Sequence, residues 1–274
     1  MGTFSLLYNI PALSAENQIN VNSNNLQNSL TQLSTGMRIN SGADDPAGLS
    51  IANGLQANEL ALNQSVQNAS TGVGLLQIAD GALSQVNNIL NSAVTLATEA
   101  SNGTESGTQE TALNNEFTQL MAEVDSIGSS TTYNGNAVFG SSATSIFMSD
   151  GTTGGVNTVS VTTGTLSSST LGLNAVSLSN QANAQSALTA ITSAINTVDT
   201  SRGTIGASIN RLQDATNVMN TQVQNVTAAE NSIMAANIPQ VVGQLSQQQI
   251  LAETGISALS QANSTQQLVL KLIP

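Results

Sequence analysis

The sequence predicts a mainly α-helical fold: an elongated antiparallel coiled-coil or helical-bundle rod with paired terminal helices and a small β-hairpin region. Three observations predict it. Leu or Ala recurs at every seventh position from Leu55 to Ala97. A second apolar row steps by alternating threes and fours from Leu188 to Ile233. Hydrophobic residues make up 39% of the chain but aromatics only 2%, with no His, Cys or Trp. The core must therefore be built of Leu, Ile, Val and Ala, which pack along helix seams more readily than as one thick globule.

In chain order, residues 1–13 carry Phe4, Leu6, Leu7, Tyr8 and Ile10 without a helical period, and Pro11 interrupts them. From about Ser14 to Met37, the residues Ile19, Leu26, Leu30, Leu33 and Met37 form an a/d seam. This Asn-rich helix is too short to stand alone, since marginal helices depend on packing; it reads either as a frayed terminus or as a segment that orders only against a partner. Leu33 to Gly48 then reads as a helix end, an extended link and a helix start. Gly36 suits the αL conformation past a helix end. Asp44 or Asp45 can cap the next helix, with Pro46 in its first turn, and both carboxylates face the positive end of its dipole. Arg38 is the expected electrostatic partner of the pair.

A long helix follows from about Pro46 to Ala100, with positions 55, 62, 69, 76, 83, 90 and 97 as its stripe and Val66, Val73 and Val94 as a second row. Gly54, Gly72, Gly74 and Gly81 each weaken it by up to about 1 kcal/mol relative to Ala, and are read as points of close approach or bending. Ser101-Asn102-Gly103-Thr104 is a turn. A third helix, about Thr108 to Ile127, carries Leu113, Phe117, Leu120, Met121 and Val124 on one face. The Ser/Thr/Gly-rich segment Gly128–Gly172 holds two β-type runs, 145–148 and 157–162, around Asp150-Gly151 and Gly154-Gly155 turn signals. It is expected to face solvent and tolerate insertion. The seam from Leu188 to Ile233 is broken only by Arg202, Thr216 and Glu230. A helix of about 50 residues is about 75 Å long, so it is expected to lie along the Pro46–Ala100 helix. Pro239 marks a second joint, and a final helix from about Gln240 to Leu272 carries Val242, Leu245, Leu251, Leu259, Leu268 and Leu272.

Charge and residue types exclude several functions. The net charge of −12 rests on four basic residues, Arg38, Arg202, Arg211 and Lys271, which leaves no basic footprint for nucleic acid or an anionic membrane. No apolar run approaches the roughly 18 residues of a membrane span. The first residues lack the basic region of a Sec-type signal, and Leu6 replaces the Ser or Thr that myristoylation of Gly2 would want. Without His or Cys, the common base, thiol nucleophile and soft metal ligands are missing. Asp44-Asp45 is the only adjacent carboxylate pair; a cap-and-joint role is preferred to acid/base or metal chemistry. Asp150 is read as a turn residue rather than a Ca²⁺ ligand. No catalytic residue, cofactor or metal is expected. The Asn-x-Ser/Thr triplets at Asn63, Asn68, Asn102, Asn225 and Asn263 are chance in such a composition, and hairpin Ser or Thr residues are the better glycosylation candidates.

Several blocks together resemble a known family. Leu33-Ser34-Thr35-Gly36-Met37-Arg38-Ile39-Asn40-Ser41, Asp44-Asp45-Pro46-Ala47-Gly48 and Ile51-Ala52-Asn53 resemble the amino-terminal signature of bacterial flagellins. So do Asn68-Ala69-Ser70-Thr71-Gly72, Gly81-Ala82-Leu83 and Tyr133-Asn134-Gly135. Gly206-Ala207-Ser208-Ile209-Asn210-Arg211-Leu212 is similar to the carboxy-terminal inner helix, and the segment from Gln249 to Asn263 to the terminal one. The resemblance covers nearly everything outside about 137–176. It implies a filament subunit exported through the flagellar type III channel without a cleaved signal. It also implies a D0 domain of paired terminal helices and a D1 domain of longer ones, with no outer domain. The organisation expected is 1–43 and 232–274 as the two D0 segments, 44–136 as the amino-terminal D1 helices, 137–176 as the hairpin region and 177–231 as the long carboxy-terminal D1 helix.

Assembly is then the expected function. Leu26, Leu30, Leu33, Leu251, Leu259 and Leu268 are the expected subunit-interface residues, with Arg38, Asp44, Asp45 and Pro46 at the D0–D1 joint. Their seams exceed what one chain can bury, so contacts repeat heterologously and helically. The resemblance also implies an export chaperone and cap or junction proteins as partners. Two departures stand out: the carboxy-terminal joint reads Ala235-Ala236-Asn237-Ile238-Pro239-Gln240 rather than an acidic, Tyr-containing stretch, and Ser92 and Leu120 replace basic residues of the family's innate-receptor site, although Glu116 matches its acid. Receptor recognition is therefore expected to be poor. The alternative functions are a hook–filament junction protein or a secreted coiled-coil adhesin.

Overall fold

In the computed structural model, residues 9–152 and 156–271 are described. Phe4, Leu6, Leu7, Tyr8, the Gly154-Gly155 turn and Leu272 lie outside them. The elements are α1 (Ile10–Thr35), α2 (Pro46–Ala100), α3 (Gly107–Ser130), β1 (Thr132–Tyr133), β2 (Asn136–Ala137), β3 (Thr144–Ser149), β4 (Val156–Val161), α4 (Gln181–Met234) and α5 (Ile238–Lys271). They form two compact units, one of residues 1–56 with 226–274 and one of residues 57–225.

In the first unit α1 and α5 run antiparallel. The Asn9 side chain donates to the carbonyl of Ala262 at 3.4 Å, and Asn22 Nδ2 to that of Gln248 at 2.7 Å. Gly255 lets them close up, because a Cβ there would meet Ile19 Cγ1 at 2.9 Å. Contrary to the sequence reading, Pro11 does not interrupt this region. The helix begins at Ile10 with Asn9 as N-cap, whose side-chain oxygen accepts from Ala12 N–H at 3.1 Å. Proline is tolerated in a first turn because its missing N–H would be orphaned anyway. Pro239 likewise falls inside the first turn of α5.

In the second unit α2 and α4 run antiparallel. Gln181 reaches the carbonyl of Ser101, Asn87 bonds Asp199, Arg202 pairs with Asp80 at 2.8 Å, and Leu212 lies beside Gly72. The stripe Leu62, Ala69, Leu76, Leu83, Leu90 and Ala97 is buried. The second buried row differs from the one the sequence predicts: Val66, Val73 and Val94 are only half-buried. The buried row lies three residues on from the stripe, at Ser65, Gly72, Ala79, Val86, Ala93 and Ala100. Small side chains there let neighbours approach; a Cβ on Gly72 would collide with Ile146. On α4 the buried residues Ala187, Ile191, Ala194, Val198, Ile205, Ser208 and Leu212 follow the same alternation of large and small.

The hairpin is antiparallel, with Ile146 opposite Val159 and Thr144 opposite Val161. It is less solvent-facing than expected. Ile146, Met148, Val159 and Val161 are buried, and Ser65 on α2 both donates to and accepts from the backbone of Ser149 at 2.8 Å. β1 and β2 form a smaller hairpin around Asn134-Gly135, both at positive φ. α3 packs through Phe117, Met121 and Val124, while the Asp125 carboxylate holds the backbone N–H and hydroxyl of Ser168 at 2.6 and 2.8 Å.

Candidate functional site

The joint is assembled within the first unit, from the link after α1 and the segment between α4 and α5. α1 stops at Thr35, and Gly36 adopts φ 71°, where glycine pays no Cβ penalty. The next residues pair with the segment that follows α4. Arg38 N–H donates to the Met234 carbonyl at 2.6 Å, Ala236 N–H to that of Gly36 at 2.9 Å, and Met37 and Ala235 form an antiparallel bridge. The last carbonyls of a helix have no partner of their own, and here the link supplies them. The Arg38 guanidinium adds two bonds to the Ile233 carbonyl, from Nη2 at 2.9 Å and Nε at 3.3 Å. A cation at that end also opposes the negative pole of the helix dipole.

The two aspartates have separate tasks. Asp45 caps α2: its Oδ1 accepts from Gly48 N–H at 2.9 Å, and Pro46 occupies the first turn. Asp44 folds back on the link, where its Oδ2 accepts from the backbone of Asn40 at 3.0 Å and from the backbone and hydroxyl of Ser41 at 2.8 and 3.1 Å. Those bonds, the Asn40 backbone N–H first, hold the Asp44 carboxyl below the usual carboxylate range. Arg38 stands 4.0 Å from Asp45, with side-chain exposures of 53% and 36%, so its main partner is the Ile233 carbonyl. The ion pair is a loose surface contact, of a kind that contributes little.

Four participants carry no charge that would announce them. Ile39 is 1% exposed and anchors the link; an apolar residue between Arg38 and Asn40 was its signal. Gly48 is needed because a Cβ would press on Asp45 and on Ile39 Cδ1 at 2.8 Å. The carbonyls of Ile233 and Met234 have no sequence signal, because every residue has one.

The expected interface residues lie on α1 and α5, and their own unit covers them only in part. Leu30, Leu251 and Leu268 are 47%, 49% and 60% exposed, while Leu26, Leu33 and Leu259 are half-buried. The residues α1 does bury are Asn22 and Ser29. The internal seam of the pair is thus partly polar, and Leu30, Leu251 and Leu268 stand largely outside it. Ile10, Leu13, Val21, Ile250 and Ile256 extend the open apolar surface.

In the second unit Asp150 closes a turn, accepting from Thr152 N–H at 2.9 Å and its hydroxyl at 2.7 Å. The hydroxyl, followed by the N–H, lowers its carboxyl's pKa. Ser92 and Glu116 are exposed and Leu120 is half-buried. Among the described residues no group of three or more acidic side chains converges as a metal site, and no helix is long and apolar enough to cross a membrane.

Residues 6–144 match the family of the bacterial flagellin N-terminal helical region, and residues 188–273 that of the C-terminal helical region. A flagellin of Halalkalibacterium halodurans is 32% identical over 267 residues, covering 97% of this chain and 98% of that protein. A flagellin of Listeria monocytogenes is 31% identical over 280 residues, with the same coverage of 97% and 98%. Among solved structures, that of Bacillus cereus flagellin superposes with a TM-score of 0.50 at 30% identity, over 60% of this chain and 94% of the other.

Proposed function

The chain belongs to the bacterial flagellin family, and we propose from that premise that α1 and α5 carry the surfaces through which its copies assemble. It is a structural subunit of the extracellular flagellar filament, and its function is to polymerise with itself. The observation that supports the assignment of surfaces is the open leucine row on α1 and α5, set beside a partly polar seam between them. Covering the open half of one such leucine is worth about 0.7–1.5 kcal/mol, so a neighbouring copy that buries several on each helix contributes against the ordering of both segments. Residues 1–43 and 232–274 act as the D0 segments, and Arg38, Asp44, Asp45 and Pro46 set the link between α1 and α2.

Electron microscopy of the purified protein tests the reading. Long uniform filaments support it; short caps or discrete oligomers would favour a junction protein instead. Export through the flagellar type III channel with a dedicated chaperone, and capping by other flagellar proteins, belong to the same proposal. Poor activation of the flagellin-sensing innate receptor follows from Ser92 and Leu120, and a reporter-cell assay with purified monomer would contradict it by a robust response.

A further inference from the structure

Three Asn-Gly pairs occur in the chain, and their backbones differ in a way that sets one apart chemically. Asn53-Gly54 lies inside α2, where the helix holds both residues. Asn134-Gly135 is the two-residue loop between β1 and β2, fixed at φ 50° and 79° by the pairing of Tyr133 with Asn136. Asn102-Gly103 lies between α2 and α3, outside any helix or strand, with both residues exposed. There the Asn102 backbone N–H donates to Glu99 and its carbonyl accepts from Glu105 at 3.3 Å. Neither the Asn102 side-chain amide nor the Gly103 N–H has a hydrogen-bond partner among the described residues. Glycine at 103 also presents no side chain to shield its nitrogen.

We infer that Asn102 is a site of spontaneous deamidation, in the one Asn-Gly pair of this chain that lies outside both helix and hairpin and so has the least regular structure to open. The Gly103 nitrogen, losing its proton to solvent base, attacks Cγ of Asn102. The new N–Cγ bond closes a succinimide as the Cγ–Nδ2 bond breaks and ammonia leaves. Water then opens the ring at either carbonyl, leaving aspartate or, by the other cleavage, isoaspartate with an extra methylene in the main chain. Either product adds one negative charge to a chain that already carries −12. It does so just beyond the carboxy-terminal end of α2, where the helix dipole disfavours an anion, and beside Ser101, whose carbonyl receives the Gln181 amide that starts α4. This inference does not rest on the filament assignment. Asn102-Gly103-Thr104 is also the one Asn-x-Ser/Thr triplet named above that lies off a helix, so a glycan at the same nitrogen is the competing modification.

The test is incubation of the full-length protein in mildly alkaline buffer, followed by peptide mapping with mass spectrometry and isoaspartyl methyltransferase labelling. Conversion is expected at Asn102, accelerating with pH, and at least about tenfold slower at Asn53 and Asn134, where the backbone must first open. Gly103→Ala should slow the Asn102 reaction by a similar factor. The variant is tolerated sterically, since its Cβ meets only the end of the Gln181 side chain at 3.4 Å. Asn102→Gln should abolish the charge change in that peptide and keeps the test sound should Gly103→Ala fold poorly. Equal conversion at the three pairs, an unchanged rate in Gly103→Ala, or a glycan on Asn102 in protein purified from cells would each overturn the inference.

Discussion

The Arg38 guanidinium closes on the carbonyl of Ile233, 195 residues away in the chain, through two hydrogen bonds of 2.9 and 3.3 Å. One side chain thus ties the link after α1 to the end of α4. Arg38→Ala removes the tie but leaves the Met37–Ala235 bridge and both main-chain bonds in place. The monomer should lose less than about 1 kcal/mol, because the group is half exposed. Assembly should suffer more, since a loosened link costs order in every copy. Circular dichroism melts set beside sedimentation of assembled filaments separate the two, and filaments of normal yield and length would refute the role.

Asp44 makes the link responsive to acid. Hydrogen bonds from Asn40 and Ser41 depress its pKa in the folded state, below an unfolded value of about 3.9. A depressed carboxylate stabilises the fold above its unfolded pKa, and that contribution disappears as pH falls through the folded one. Protection of the Asn40 and Ser41 amides from hydrogen exchange should therefore be flat from neutral pH down to about 5 and drop below about 4. Asp44→Asn should flatten the profile and lower protection at neutral pH. An unchanged acid profile in that variant would show that another group sets it.

These contacts explain where sequence reading succeeded and stopped. The bounds of α2 were legible because Asp45-Pro46 begins a helix and Asn102-Gly103 follows its end, and both signals are local. The stripe from Leu62 to Ala97 was legible because a seven-residue period in large apolar residues is hard to produce by chance. Its companion row was not, because Ser65, Gly72 and Ala79 carry their meaning only once Ile146 and α4 stand against them. The same holds for Arg38: charge pointed to Asp44 and Asp45, whereas its nearest partner is a backbone carbonyl, which no residue type announces. The Asn134-Gly135 hairpin has a local signal of its own, because Asn-Gly favours the two-residue turn that joins β1 to β2.

Close approach yields a paired prediction in the second unit. A Cβ on Gly128 would collide with the Leu166 carbonyl oxygen and come within 3.0 Å of its carbon, which is backbone and cannot rotate away. Gly81 lies in α2 with nothing within 4 Å of an added Cβ. Gly128→Ala should destabilise the monomer by about 1–3 kcal/mol, while Gly81→Ala should stabilise it by up to about 1 kcal/mol through helix propensity. Urea unfolding measures both, and two changes of the same sign would contradict the difference in packing at the two positions.

The open leucines separate folding from assembly most directly. Leu76 is fully buried within its unit, whereas Leu251 is 49% exposed. Leu76→Ala should cost the monomer about 2–5 kcal/mol, the price of a core cavity. Leu251→Ala should change monomer stability by about 0.5 kcal/mol or less, as surface substitutions do, yet raise the critical concentration for polymerisation, because each copy loses apolar area that only a neighbour could cover. Leu30→Ala on α1 should behave as Leu251→Ala does, and the two together should be worse than either. Turbidity or light scattering against protein concentration reads the critical concentration. If both variants polymerise at the wild-type concentration, Leu30 and Leu251 are not part of the contact surface.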